Sequence, residues 1–391
     1  MLNIRKLENE LNKNENEIKG FFQTGKKTLE SYEEILSKIR RETYETLRRE
    51  AEENQNCEVI PSKEYEEEEN LASTKLRKIW TSHEQSFKWA IEVLNERVTF
   101  GVDGSQDYFA KELNLPIAVL QVGWYKNQHK ANGEFEKNAE PILIPPNEII
   151  ENQSKEISAE SYIGQRRFEM EIEKTKEFLI SKKDWKEKGE KMPVAFFDGA
   201  FMISLARRNI QESLLRSVIE LVKLSAETKV PVVGYIDRSY SYDLSSFFSL
   251  FGTTNGFLID NATLVEELSL TSCIGDRTIF FHSRRKDLKN YFQDSPIGFV
   301  YFKTNSFLPA RLDIPTWIFD EELLNEVLEV TLAECVVGEG YPYPLSIADQ
   351  TAVITAEDRN SFLEILRRFS AEKQINFRFS GKFASKKHFR R

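Results

Sequence analysis

VTFGVDGSQ (98–106) and PVAFFDGAF (193–201) decide the fold. Each is an apolar run of strand-forming residues expected to end on an aspartate, Asp103 or Asp198, with glycine directly after it to let a metal or phosphate approach the backbone. Outward from the first, LPIAVLQVGWY (115–125) and EPILIPP (140–146) are two more apolar runs joined by short polar segments, as in an antiparallel meander. A helix is predicted over about 158–182, where Phe168, Ile172 and Leu179 recur among charges, and the linker SKKDWKEKGEKM follows. After the second stretch, a helix over about 210–228 leads into VPVVGYIDRS (230–239), the alternation that builds parallel βαβ units.

The resulting order, β-β-β-α-β-α-β, predicts an α/β fold with a ribonuclease H-like mixed sheet, three antiparallel strands followed by parallel ones. Strands RTIFFH, IGFVYFKT and RLDIP form an expected β-rich insertion at about 253–320, and helices are predicted over about 320–336 and 345–369. Residues 1–96 are expected to be a polar helical N-terminal arm ahead of a catalytic domain over 97–391. Leu29, Tyr32, Leu36 and Ile39, then Leu76, Trp80, Phe87, Ile91 and Leu94, mark two amphipathic helices. The acidic run Glu64 to Glu69 near Pro61 is expected to be a loop between them. Gly20 to Lys27 fits most of a phosphate-loop pattern, but it lacks the closing Ser or Thr and no strand precedes it, so a nucleotide site is not expected there.

Composition narrows the class. At 391 residues with 40% hydrophobic content the chain can bury a sizeable core. Cys57, Cys273 and Cys335 show no CxxC spacing, which excludes a zinc knuckle and suits a reducing cytoplasm. No apolar run is long enough to span a bilayer, and the first residues lack a secretory signal, so no membrane association is expected. A net charge of −9 argues against bulk coating of nucleic acid. The tail from Arg378 has the opposite sign, with Lys382, Lys386 and Lys387 interleaved with Phe379, Phe383 and Phe389, the make-up of a segment that grips phosphates and stacks on bases.

Asp-Gly is a common turn pair, so either aspartate alone would be unremarkable. In this strand order, however, the two lie on adjacent strands, where neighbouring carboxylates repel unless a cation sits between them. A third acid is expected from the helix stretch RRFEMEIEK, with Glu171 preferred and Glu169 the alternative. Oxygen ligands without nearby His or Cys suit Mn²⁺ or Mg²⁺, and two such ions are the usual machinery of phosphodiester hydrolysis. Asp349, in LSIADQTAVIT, is a fourth candidate, because it sits beside Ala348 on the buried side of a predicted helix; the competing reading makes it a cap at the start of that helix, with Ser346 as its rival.

These residues carry a resemblance to the NurA family of DNA end-processing nucleases. The matching pieces are VDGS (102–105), RRFEMEIE, FFDGAF (196–201), GYIDRS (234–239), DRTIFF (276–281), ARLDIPTW (310–317) and GYPYPLSIADQTAVIT (340–355), in family order. The resemblance implies manganese-dependent digestion of DNA ends, expected from 5′ to 3′, endonuclease action on single strands, a homodimer, and partnership with a hexameric HerA-type translocase in end resection, repair or defence. It assigns metal binding to Asp103, Glu171 and Asp198. Two departures stand out. Many members have a lysine where this chain reads Ile236-Asp237-Arg238, which makes Arg238 the candidate DNA-phosphate contact, and many have histidine where this chain has Asp349. A catalytically weak adaptor that docks DNA or a translocase on the same fold is the alternative.

Overall fold

The alternation in VTFGVDGSQ is realised as strand β1 (Thr99–Tyr108), which has paired strands on both sides. β1 pairs antiparallel with β2 (Ala118–Asn127), and β2 pairs antiparallel with β3 (Phe135–Ile144). On its other side β1 pairs parallel with β4 (Val194–Asp198), which pairs parallel with β5 (Val232–Ile236). The computed structural model describes residues 2–109, 113–153, 157–202, 208–254, 258–285, 296–375 and 378. Within these the chain forms two compact units, one built from the described residues of 80–235 and 317–378, the other from those of 2–79, 236–285 and 296–316.

The sheet belongs to the first unit, together with helices α1 (His83–Leu94), α2 (Ala159–Lys182), α3 (Arg208–Thr228), α4 (Leu324–Val337), α5 (Tyr343–Ala352) and α6 (Ala356–Lys373). Ser82, Ser158 and Thr355 cap α1, α2 and α6 by accepting a backbone N–H with their side-chain oxygens. The single C-terminal helix expected over 345–369 is two helices. Val353 takes an extended ψ of 124° and Thr355 opens α6 with a capping box to Asp358, so the chain restarts.

Glycine fixes how α5 meets the sheet. A Cβ at Gly101 would lie 2.5 Å from the Pro344 carbonyl carbon, and one at Gly123 would lie 2.6 Å from the Ala352 backbone nitrogen. Only bare backbone on β1 and β2 lets the helix approach this closely. The last carbonyls of α5, which have no partner inside the helix, are taken up by the sheet: Ser105 Oγ donates to the Ala352 carbonyl, and Gln121 Nε2 lies 3.1 Å from the same oxygen. Successive residues of a strand face opposite ways, so Gly101, Asp103 and Ser105 share the α5 face and Gly104 faces α2.

The second unit has its own core and strands. Val59–Pro61 pairs with Phe281–Ser283, which pairs with Ile297–Phe302, and that strand pairs with Ala310–Pro315. The residues expected as a helical arm are only partly helical, for they contribute the Val59–Pro61 and Ala72–Ser73 strands as well as Tyr32, Ile35, Leu36 and Ile39 to the core shared with Phe247, Phe281 and Phe299. The phosphate-loop look-alike lies inside the helix Glu15–Ile39 and forms no loop. The acidic run is a short helix, Glu64–Glu68, not a loop, because Glu64 receives the buried Arg277 guanidinium and the Phe280 N–H. Arg311 is likewise buried, 2.8 Å from both Asp313 and Asp243, with its guanidinium 3.9 Å from the Phe299 ring centre. Among the described residues no helix is long and apolar enough to cross a membrane.

Gly123→Ala is expected to push α5 off β2 and cost about 1–3 kcal/mol of stability. A urea midpoint equal to wild type would show that the contact is not tight.

Candidate functional site

The site grows from a mismatch between the two edges of β1. Its pairing with β2 continues to Tyr108, opposite Ala118, whereas its pairing with β4 stops at Val102, opposite Phe197. Asp103 therefore does not end its strand, as expected from the sequence; it stands mid-strand, at the point where the parallel neighbour departs. Asp198 is the last residue of β4 and the next in line beside it.

α5 crosses this notch. Asp349 lies in the body of the helix, so it does not cap the helix start; Pro342 holds that position. Its carboxyl stands near enough to Asp103 to raise that group's hold on a proton. The Asp103 carboxyl is pushed up to about 6, first by burial and then by the charges of Asp198 and Asp349, against the pull of the Gly104 N–H.

Glu171 reaches the notch from α2 on the opposite face. A Cβ at Gly104 would fall 2.5 Å from Glu171 Oε1, so the glycine after Asp103 makes room for this carboxyl, not for a metal or phosphate as the sequence suggested. Glu171 is 5% exposed, and burial, helped by the charges of Asp103 and Asp198, pushes its carboxyl up to about 8. Arg167 opposes that shift: its guanidinium lies 3.3 Å from Glu171 Oε1 and donates to the Gly104 carbonyl at 2.7 Å. Glu171 Oε1 is buried without a hydrogen-bond partner. Glu169 is occupied elsewhere, held by Gln165, Arg166 and Ser213.

Asp103, Glu171, Asp198 and Asp349 thus interact around one notch, although among the described residues no three His, Cys, Asp or Glu side chains stand close enough to hold one ion as they are. Arg238 belongs to the second unit, where Nη2 meets Asp260 at 3.2 Å, and Lys382, Lys386 and Lys387 fall outside the described residues. Sequence reasoning passed over Arg167, whose signal was its position four residues before Glu171 on one helix face. It also passed over Ser105 and Gln121, whose partners lie far along the chain.

Comparison with known proteins agrees with the resemblance. The NurA domain family model matches residues 97–354, and the chain belongs to that family. The crystal structure of the NurA nuclease from Sulfolobus solfataricus aligns over 95% of this chain and 98% of its own, at 12% identity and a TM-score of 0.52, a likeness of fold. A crystal structure of NurA with manganese aligns over 70% of this chain and 90% of its own, at 10% identity and a TM-score of 0.40. No curated protein sequence matches.

Both raised carboxyls bind their protons more tightly folded than unfolded. Their contribution to stability is complete below about pH 4 and is lost as pH rises through 6 for Asp103 and 8 for Glu171. Without divalent cation, wild type should lose stability between pH 5 and 9. Glu171→Gln, which cannot ionise, should be the more stable protein at pH 9, by on the order of 2 kcal/mol. Parallel pH profiles of thermal unfolding for the two proteins would contradict this.

Proposed function

We propose that this member of the NurA family is a divalent-metal-dependent DNA nuclease whose site is the carboxyl group of four, Asp103, Glu171, Asp198 and Asp349. The observation that carries the reading is the buried Oε1 of Glu171, which has no hydrogen-bond partner and stands beside Asp103 and Asp198. Like-charged carboxyls are crowded into one notch, with the Arg167 guanidinium 3.3 Å from Glu171, and a further positive charge is what the arrangement calls for. The donor set is all carboxylate oxygen, which fits a hard cation such as Mn²⁺ or Mg²⁺. When bound, such a cation supplies charge neutralisation on the phosphodiester and an activated water. Asp103, Glu171, Asp198 and Asp349 would hold it, Arg167 fixes the direction of Glu171, and Asp103 and Glu171 surrender their protons as the cation enters.

The substrate is DNA, as single strands and duplex ends, with 5′-to-3′ digestion of ends. The cysteines are free of disulfides, which suits the cytoplasm. A homodimer and a hexameric HerA-type translocase are the partners, and the start of the chain suits docking: Ile4, Leu7, Leu11, Ile18 and Phe22 are exposed at helical spacing on Ile4–Lys13 and Glu15–Ile39.

Asp103→Asn and Asp198→Asn should each lower Mn²⁺-dependent cleavage of end-labelled DNA by at least about a hundredfold while the fold persists, because the amide keeps the shape and loses the charge. Asp349→His should retain activity with a shift towards Mn²⁺, and Asp349→Ala should lose most of it. Full activity in either asparagine variant removes the metal role, and wild-type protein that binds DNA without cutting favours the adaptor.

Leu7→Glu combined with Leu11→Glu should weaken self-association or translocase capture and spare basal cleavage. An unchanged sedimentation coefficient together with unchanged capture would exclude this stripe from both interfaces. A larger truncation is a poor test, since Tyr32 onwards is core.

A further inference from the structure

The second unit holds a cavity of about 440 Å³ that the carboxyl site does not use, lined by Asp237, Arg238, Glu266, Ser306, Phe307 and Leu308. Phe307 is 78% exposed, yet its backbone is tightly held. Its N–H donates to Asn305 Oδ1 at 2.8 Å, and its carbonyl accepts from Lys303 Nζ. Lys303 is buried and braced by both Glu266 oxygens, at 2.6 and 2.7 Å, and Leu308 next door packs on the core. The ring is thus fixed at its root and presented to solvent beside the cavity. On the same cavity, Arg238 lies 5.0 Å over the exposed Tyr240 ring and keeps Nη1 buried without a hydrogen-bond partner.

The chemistry of the walls selects the occupant. Lys303 cancels Glu266 and Asp260 pairs with Arg238, so Asp237 leaves the cavity with no positive excess, which disfavours a phosphate. What the walls do offer is an aromatic face for stacking, carboxylate oxygens that accept from exocyclic amino groups, and the Arg238 guanidinium beside them. These are the complements of a nucleobase edge and face. A base inside a duplex is stacked and paired, so only an unpaired one can enter.

We propose that this cavity receives an unpaired, amino-bearing base of single-stranded DNA, with Phe307 stacking on it and Arg238, Asp237 and Glu266 reading its edge. The inference rests on the reading of the protein as a DNA nuclease, and it shifts Arg238 from a phosphate contact to a base contact.

The test is fluorescence anisotropy in EDTA with two labelled strands of equal length, oligodeoxycytidine and an abasic strand. Wild type should prefer oligodeoxycytidine, and Phe307→Ala should weaken binding of that strand about tenfold while leaving the abasic strand unchanged. Equal affinities of wild type for both strands, or a Phe307→Ala variant indistinguishable from wild type, overturns the proposal. Because the assay needs no cleavage, base-dependent binding by a protein that fails to cut DNA in Mn²⁺ would remove the nuclease reading and leave the cavity assigned.

Discussion

Crowding of like charges in the notch where β1 parts from β4 is the constraint on which the rest of the first unit depends. Carboxyls at this separation raise one another's affinity for protons, and burial of Glu171 adds the larger share. A fold that served stability alone would place apolar side chains at 103 and 171, since the surrounding strands are built of them. The glycines are what permit the arrangement. Gly101 and Gly123 admit α5, which brings Asp349, and Gly104 admits Glu171 from the other side of the sheet. Each position sacrifices packing by a side chain so that an acid can reach the same place.

Much of this was legible in the chain. Apolar strands carrying Asp103 and Asp198, a charged helix after three extended segments, and a return to βαβ alternation gave the order of the first unit. Glu171 was preferred to Glu169 for its place one turn from Phe168, but the sequence left both open. What stayed hidden depends on long-range pairing. Nothing local marks Gly123 as the seat of a helix whose residues come far later, and Asp103 reads as a strand end because Asp-Gly normally marks a turn, whereas its pairing with β2 carries the strand on to Tyr108.

The second unit was the least legible, for a similar reason. Glu64 and Arg311 look like surface charges in sequence, but each is a member of a buried ion pair whose other half lies in a distant segment. Buried pairs of this kind add little net stability against apolar replacements, while loss of one partner leaves a desolvated charge, so they fix which segments meet. In the N-terminal helices, periodicity revealed an apolar stripe but not where it stops being core, a boundary set by how far the helix Glu15–Ile39 runs beyond the core that Tyr32, Ile35, Leu36 and Ile39 join.

The central claim is that protonated carboxyls in the notch become cation ligands, and calorimetry of Mn²⁺ binding in buffers of differing ionisation enthalpy tests it most directly. At pH 7 the account predicts binding accompanied by net proton release, with the release reduced in Glu171→Gln. Mn²⁺ binding with no proton release, or release unaffected by Glu171→Gln, would contradict it.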